Sequence, residues 1–171
     1  MIRESIVLIG MPASGKSTIG CSLAATLGYQ FTDLDVYIRE RDGQALQDII
    51  NREGEAALMQ LEKKRMAEID LFKRVVAPGG SLVYHDDLMQ TIRQKAVIVY
   101  LNESLANLEK RLGNAATRGI IGLKGKSLAE IFDERTPLYT SYADIIIKCE
   151  NLTRVQIVQI IARRFRELIS L

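Results

Sequence analysis

Gly10-Met11-Pro12-Ala13-Ser14-Gly15-Lys16-Ser17, followed by Thr18, is the stretch that decides the fold. It matches G-x-x-x-x-G-K-[ST], the loop whose backbone cradles phosphates. The flanks supply the context the motif requires. Before it, Ser5-Ile6-Val7-Leu8-Ile9 is a short apolar run that reads as a buried strand. After it, Ile19, Leu23, Ala24 and Leu27 recur at helical spacing and stop at Gly28. A strand feeding a glycine-flanked turn onto a helix N-terminus offers free N–H groups and a positive dipole end to a polyphosphate. The expected nucleotide-binding set is therefore Gly10, Ala13, Ser14, Gly15, Lys16, Ser17 and Thr18. Lys16 would reach the outer phosphates and the Ser17 hydroxyl would ligate Mg²⁺.

Working outward, Tyr29-Gln30-Phe31-Thr32 reads as a second short strand that ends in Asp33-Leu34-Asp35. Strand alternation would turn both carboxylates to one side, at the strand end where open α/β sheets bind ligands. One of the two acids can help hold Mg²⁺ with Ser17, and the other can accept a proton from an attacking hydroxyl. Taken alone, the pair could equally cap a helix starting at Val36. Beside a phosphate loop with no other obvious acid, the chemical role is the stronger reading. The later apolar strands, Arg74–Ala77 and Ala96–Leu101, do not run directly into Asp, so no Walker-B aspartate is apparent. Nor is there an Asn/Thr-Lys-x-Asp guanine-reading motif.

Between the second and third strands lies a helical subregion at about 34–71, more than a minimal crossover needs and suited to covering a substrate. The third strand ends in Pro78-Gly79-Gly80-Ser81, where glycines let backbone N–H groups approach an anion closely. His85, the only histidine, reads as a turn residue before a helix. A glycine-rich stretch at about 112–126 carries Arg118 and Lys124 and reads as a lid that closes over phosphoryl transfer. Ser127 and Glu130 form a capping box at the start of the next helix. Arg135-Thr136-Pro137-Leu138-Tyr139 and a last strand, Asp144–Ile147, follow. Val155, Val158, Ile161, Phe165 and Leu168 mark a closing amphipathic helix with Arg163, Arg164 and Arg166 on its solvated side.

Composition narrows the class. The 171 residues fit one domain spanning 1–171, and 47% apolar content supports a sizeable core. A net charge of +2 calls for neither nucleic acid nor an anionic membrane as partner. The chain enters a strand almost at once, so no signal peptide is expected, and no apolar stretch approaches a membrane span. Cys21 and Cys149 are far apart and read as reduced, packed thiols of a cytoplasmic protein.

With these elements in place, the chain resembles the shikimate kinases over nearly its whole length. The resemblance is carried by Gly10–Ser17, Asp33-x-Asp35, Gly79-Gly80, Arg118 and Arg135-x-Pro137-x-Tyr139. It implies an α/β class, three-layer α/β/α P-loop kinase fold, nucleoside-monophosphate-kinase-like, with a five-stranded parallel sheet. It also implies transfer of the γ-phosphate of ATP, with Mg²⁺, to the 3-hydroxyl of the small molecule shikimate; a monomer is expected. Lys16, Asp35 and Arg118 would be catalytic, Arg118 touching ATP under the closed lid. Asp33 and Ser17 would serve the metal. Asp35, Gly79, Gly80, Ser81 and Arg135 would bind the acceptor, Gly80 and Arg135 through its carboxylate. Three positions depart from the family pattern. Ser81 stands where a third glycine is usual, and Gly119 where Pro follows the lid Arg. Met59 stands at the Arg of an F-R-x-x-E pattern, here Leu58-Met59-Gln60-Leu61-Glu62. Met59 is thus the expected acceptor contact at that place, with Lys63 one turn on as a partial substitute for the missing charge. An enzyme acting on a less acidic hydroxyl compound, or a nucleotide-binding protein without turnover, also fits these residues.

Overall fold

The computed structural model describes residues 3–113, 122 and 125–170. Arg118, Gly119 and Lys124, and with them most of the expected lid, lie outside the described residues. The sheet has five parallel strands in the order β2-β3-β1-β4-β5: β1 (Ile6–Ile9), β2 (Gln30–Asp33), β3 (Arg74–Ala77), β4 (Val97–Asn102) and β5 (Ile145–Lys148). β1, carrying the phosphate loop at its carboxyl end, is central.

Alternation along the strands builds two cores. Val7, Ile9, Val76, Ile98 and Tyr100 face one layer, while Ile6, Leu8, Val75, Val97 and Val99 face the other. The second layer consists of α1 (Lys16–Leu27) and α8 (Arg154–Ile169), which pack against each other. Gly20 lets α1 lie close on β2, for a Cβ there would come within 3.2 Å of Leu8 and overlap the Phe31 ring. The first layer holds α2 (Leu34–Asp42), α3 (Leu46–Glu53), α4 (Glu55–Glu68), α5 (Asp86–Lys95), α6 (Leu105–Leu112) and α7 (Leu128–Tyr142). Three of these, α2 to α4, occupy the interval read as a substrate-covering subregion. No helix among the described residues is long and apolar enough to cross a membrane.

Several expectations need correction. β2, β4 and β5 each begin and end one residue later than their apolar stretches suggested. Asp144 stands just before β5, where its carboxylate accepts from the Ile98 N–H (2.9 Å) and from Arg3 (2.8 Å) and anchors the strand's entry. α2 begins at Leu34 rather than Val36, because the Asp33 carboxylate accepts from the N–H groups of Asp35 (3.0 Å) and Val36 (3.3 Å). Val155 and Leu168 are exposed, and the buried stripe of α8 is Ile157, Val158, Ile161, Ala162 and Phe165. Arg163, Arg164 and Arg166 are on the exposed side as expected. Cys149 is packed, but Cys21 is exposed on α1. The capping box at Ser127 and Glu130 is present, and α7 continues through Pro137, which sits at an exposed position. There the ring removes only one intrahelical bond.

Candidate active site

A cleft of about 750 Å³ opens at the carboxyl ends of β1, β2 and β3. The phosphate loop forms its floor. Ala13 (φ 63°) and Gly15 (φ 98°) adopt left-handed conformations, and Gly15 is the N-cap of α1, so Lys16 is the first helical residue. Gly10 is required by crowding as well as by its φ of 148°: a Cβ there would lie 2.8 Å from the Leu101 carbonyl of β4. The buried Lys16 ammonium donates to the carbonyls of Gly10 (2.9 Å) and Met11 (2.8 Å). Burial lowers its pKa to about 8; Asp35 opposes that shift and Arg135 adds to it. The hydroxyl of Ser14, 2% exposed, has no hydrogen-bond partner among the described residues. It is a buried polar group left open within a loop built for oxygen ligands.

Ser17 and Thr18, exposed at the start of α1, line the same cleft. The Ser17 hydroxyl donates to Asp33 Oδ2, while Asp33 Oδ1 caps α2. The aspartate pair therefore converges through the cap and first turn of a helix, not through strand alternation. Capping and site contact belong to one residue, using different oxygens. Asp35, in the first turn of α2, opens onto the cleft. Desolvation by the cleft walls raises its carboxyl pKa; Asp33 raises it further and Lys16 pulls it back.

The opposite wall is formed by Pro78, Gly79, Gly80 and Ser81 after β3, by Leu58 and Glu62 of α4, and by Arg135 of α7. Arg135 is 1% exposed. Its Nε donates to the Tyr84 hydroxyl at 3.1 Å, and its guanidinium lies 5.2 Å from the centre of that ring. A Cβ on Gly80 would sit 3.0 Å from Arg135 Nη1, so glycine allows the guanidinium to approach the loop backbone. Tyr139 donates its hydroxyl to the Gly80 carbonyl at 2.7 Å. Thus Arg135 and Tyr139, one helical turn apart on α7, come up against the same loop, and Tyr139 bonds to it.

Two expectations do not fit this wall. Met59 is not among the cleft-lining residues; it is half-buried and packs against the apolar core, while its neighbour Leu58 and the following Glu62 face the cleft. Lys63 does not replace a missing charge there, since its ammonium pairs with Asp87 at 2.6 Å. His85 is more than a turn residue. It is buried before α5, with Nε2 3.1 Å from the Met59 carbonyl.

Sequence reasoning places Glu62 with Lys63, Lys64, Arg65 and Glu68 on a solvated helix face, but Glu62 is 3% exposed and accepts a hydrogen bond from Ser81 Oγ at 2.7 Å. Burial pushes its pKa up to about 7; the Ser81 hydrogen bond opposes this, Asp35 reinforces it, and Arg135 and Lys16 oppose it. The F-R-x-x-E pattern was the available signal. Sequence reasoning passed over Arg111, which ties the far end of the cleft to the phosphate loop by donating to the Ala13 carbonyl (3.0 Å) and to buried Glu103 (2.7 Å). Leu112, Leu152, Arg154 and Ile157 extend that end.

A site with two ends, one shaped for polyphosphate and one holding an acid and a buried cation, suits transfer of a phosphoryl group between two bound molecules. On this sheet order it defines the class of P-loop kinases. The family model for shikimate kinase matches residues 12–166. A shikimate kinase of Paracidovorax citrulli is 37% identical over 152 residues, covering 86% of this chain and 83% of that protein. One of Persephonella marina is 34% identical over 165 residues, covering 95% and 99%. The structure of shikimate kinase from Acinetobacter baumannii in complex with shikimate superposes with a TM-score of 0.83 at 25% identity, over 97% of this chain and 92% of that one. The chain belongs to the shikimate kinase family.

Proposed function

We propose that this chain transfers the γ-phosphate of ATP to the 3-hydroxyl of shikimate. The observation that carries the reading is the meeting of Lys16, Asp35 and Arg135 in one cleft. The loop Gly10–Ser17 and Thr18 hold the triphosphate, with the Ser14 hydroxyl and backbone N–H groups facing its oxygens and Lys16 leaving its carbonyl partners for them. Arg111, Leu152 and Ile157 border the nucleoside end. Arg135 and the backbone at Gly79, Gly80 and Ser81 hold the acceptor carboxylate. The acceptor hydroxyl oxygen attacks the γ-phosphorus, the bond to the β–γ bridging oxygen breaks, and the hydroxyl proton passes to Asp35. ADP and the phosphate ester result. Arg118, which the family resemblance assigns to ATP, lies outside the described residues.

Mg²⁺ fits the residues present: the Ser17 hydroxyl and Asp33 carboxylate are paired hard oxygen donors beside the phosphate loop. No larger cluster of metal-binding side chains occurs among the described residues. When bound there, the ion neutralises charge on the phosphates. The protein works as one catalytic domain over 1–171, with the helical subregion at about 34–71 and the lid at about 112–126, as a monomer in the cytoplasm.

Met59 in place of an arginine favours one competing reading, a less acidic acceptor. A coupled ADP-release assay with shikimate beside neutral polyols and sugars separates the two. Shikimate-dependent ADP release is the expected result. Turnover with a neutral acceptor and none with shikimate overturns the assignment.

A further inference from the structure

Two departures from the family pattern, Met59 by its spacing and Ser81 by contact, bear on one carboxylate, that of Glu62. Position 59 precedes Glu62 by three residues on α4, the spacing at which an arginine and a glutamate pair on a helix. Met59 removes that cation. From the other side, Ser81 supplies a hydroxyl where the pattern has glycine, and this hydroxyl donates to Glu62 Oε2 at 2.7 Å. Both partners are buried, at 2% and 3% exposure. Glu62 Oε1 rests on Gly79 so closely that a Cβ there would collide with it. The carboxylate is therefore wedged between the first and third residues of Gly79-Gly80-Ser81, and the middle one faces Arg135 Nη1 and accepts from Tyr139.

We propose that Ser81 is a positioning residue: its hydroxyl holds Glu62 against the glycine loop in place of the arginine absent at position 59, and so sets the spacing of Gly80 and Arg135 on which an acidic acceptor depends. The proposal rests on the functional reading above. Its electrostatic consequence is specific. The charged groups facing Glu62 are Asp35 from α2, Arg135 from α7 and Lys16 from α1. Glu62 loses its proton near neutrality, so an acceptor carboxylate beside Arg135 meets an added negative charge as pH rises through about 7. The Ser81 hydrogen bond favours the charged form, and its removal moves that titration to higher pH.

The test is steady-state kinetics with shikimate and ATP on the full chain, from about pH 6 to about pH 9. Ser81→Ala should raise the shikimate KM about tenfold, the scale of one hydrogen bond to a charged group. The ATP KM should stay within about twofold, and the pH at which shikimate binding weakens should move upward. Ser81→Thr keeps the hydroxyl and should lose less shikimate affinity than Ser81→Ala. Met59→Arg in the Ser81→Ala background should recover most of the lost affinity. A parent enzyme that does not use shikimate overturns the functional reading. A parent that uses it, with a Ser81→Ala variant whose shikimate KM and pH dependence are unmoved or whose two KM values rise together, overturns this inference alone.

Discussion

Replacing Lys16 with methionine should abolish turnover and yet make the nucleotide-free protein more stable. The ammonium is buried, and its pKa falls from 10.5 to about 8. A folded-state pKa below the unfolded value means that folding disfavours the charged form. The difference corresponds to about 3 kcal/mol of destabilisation, present in full below about pH 8 and lost as pH rises toward 10.5. Against this stand the hydrogen bonds to the Gly10 and Met11 carbonyls, which contribute about 1 kcal/mol between them once cleft water replaces the lysine. Lys16→Met should therefore gain about 1–2 kcal/mol at pH 7, a rise in Tm of about 2–8 °C for a chain of this size. Urea unfolding of both proteins at pH 7 and at about pH 9.5 would measure it, with the gap narrowing at the higher pH. Adding ATP should stabilise the parent and leave the variant unmoved. A variant less stable than the parent at pH 7, or a gap that ignores pH, would refute the argument that the loop holds its lysine at a cost to the fold.

Asp35→Asn should lower kcat by roughly 10²–10⁴-fold with ATP binding retained, as expected for a positioned base; loss of nucleotide and Mg²⁺ binding in its place would exchange the roles of Asp33 and Asp35. Because burial and Asp33 raise the Asp35 pKa, activity should fall on the acid side at a pH above that of an ordinary aspartate, and a flat profile there would count against it as the proton acceptor. Met59→Arg should tighten shikimate by about tenfold or more, the scale of one charged hydrogen bond, although position 59 itself lies at the core edge: the long guanidinium arm reaches the cleft by pairing with Glu62 three residues on. Unchanged or weaker shikimate binding in isothermal titration would favour an acceptor without a carboxylate.

What could be read from the chain follows the range of the interactions involved. The phosphate loop, the caps at Asp33 and Ser127 and the strand faces depend on neighbours within a few residues, and these features are where local spacing put them. Asp33 shows the limit even there: one oxygen caps α2 while the other accepts from Ser17 at the cleft, so the cap does not exclude a role in the cleft. The acceptor wall joins Glu62 to Ser81 and Arg135 to Tyr84 across 19 and 51 residues, and Arg111 to Ala13 across 98. No periodicity announces such pairs. Met59 fails for a finer reason, the phase of α4, which turns Leu58 and Glu62 to the cleft and Met59 to the core edge. Strand order was not legible in the strands' own composition, because five apolar runs pair in many orders.

That order has a consequence for how the molecule comes into being. β1 leaves the ribosome first, yet its neighbours in the sheet are β3 and β4, which begin at Arg74 and Val97. A nascent chain that has exposed only the first strand, the loop and α2 to α4 holds a complete phosphate-binding motif with no partner for the strand that presents it. β2 cannot serve, because β3 must lie between them. Nucleotide binding should thus arrive late in synthesis, with the closing of long chain segments that makes parallel sheets slow to form. Chains truncated at successive lengths should acquire affinity for a fluorescent ATP analogue only once β4 is included. Parental affinity in a fragment ending before Arg74 would show that the loop needs no sheet around it.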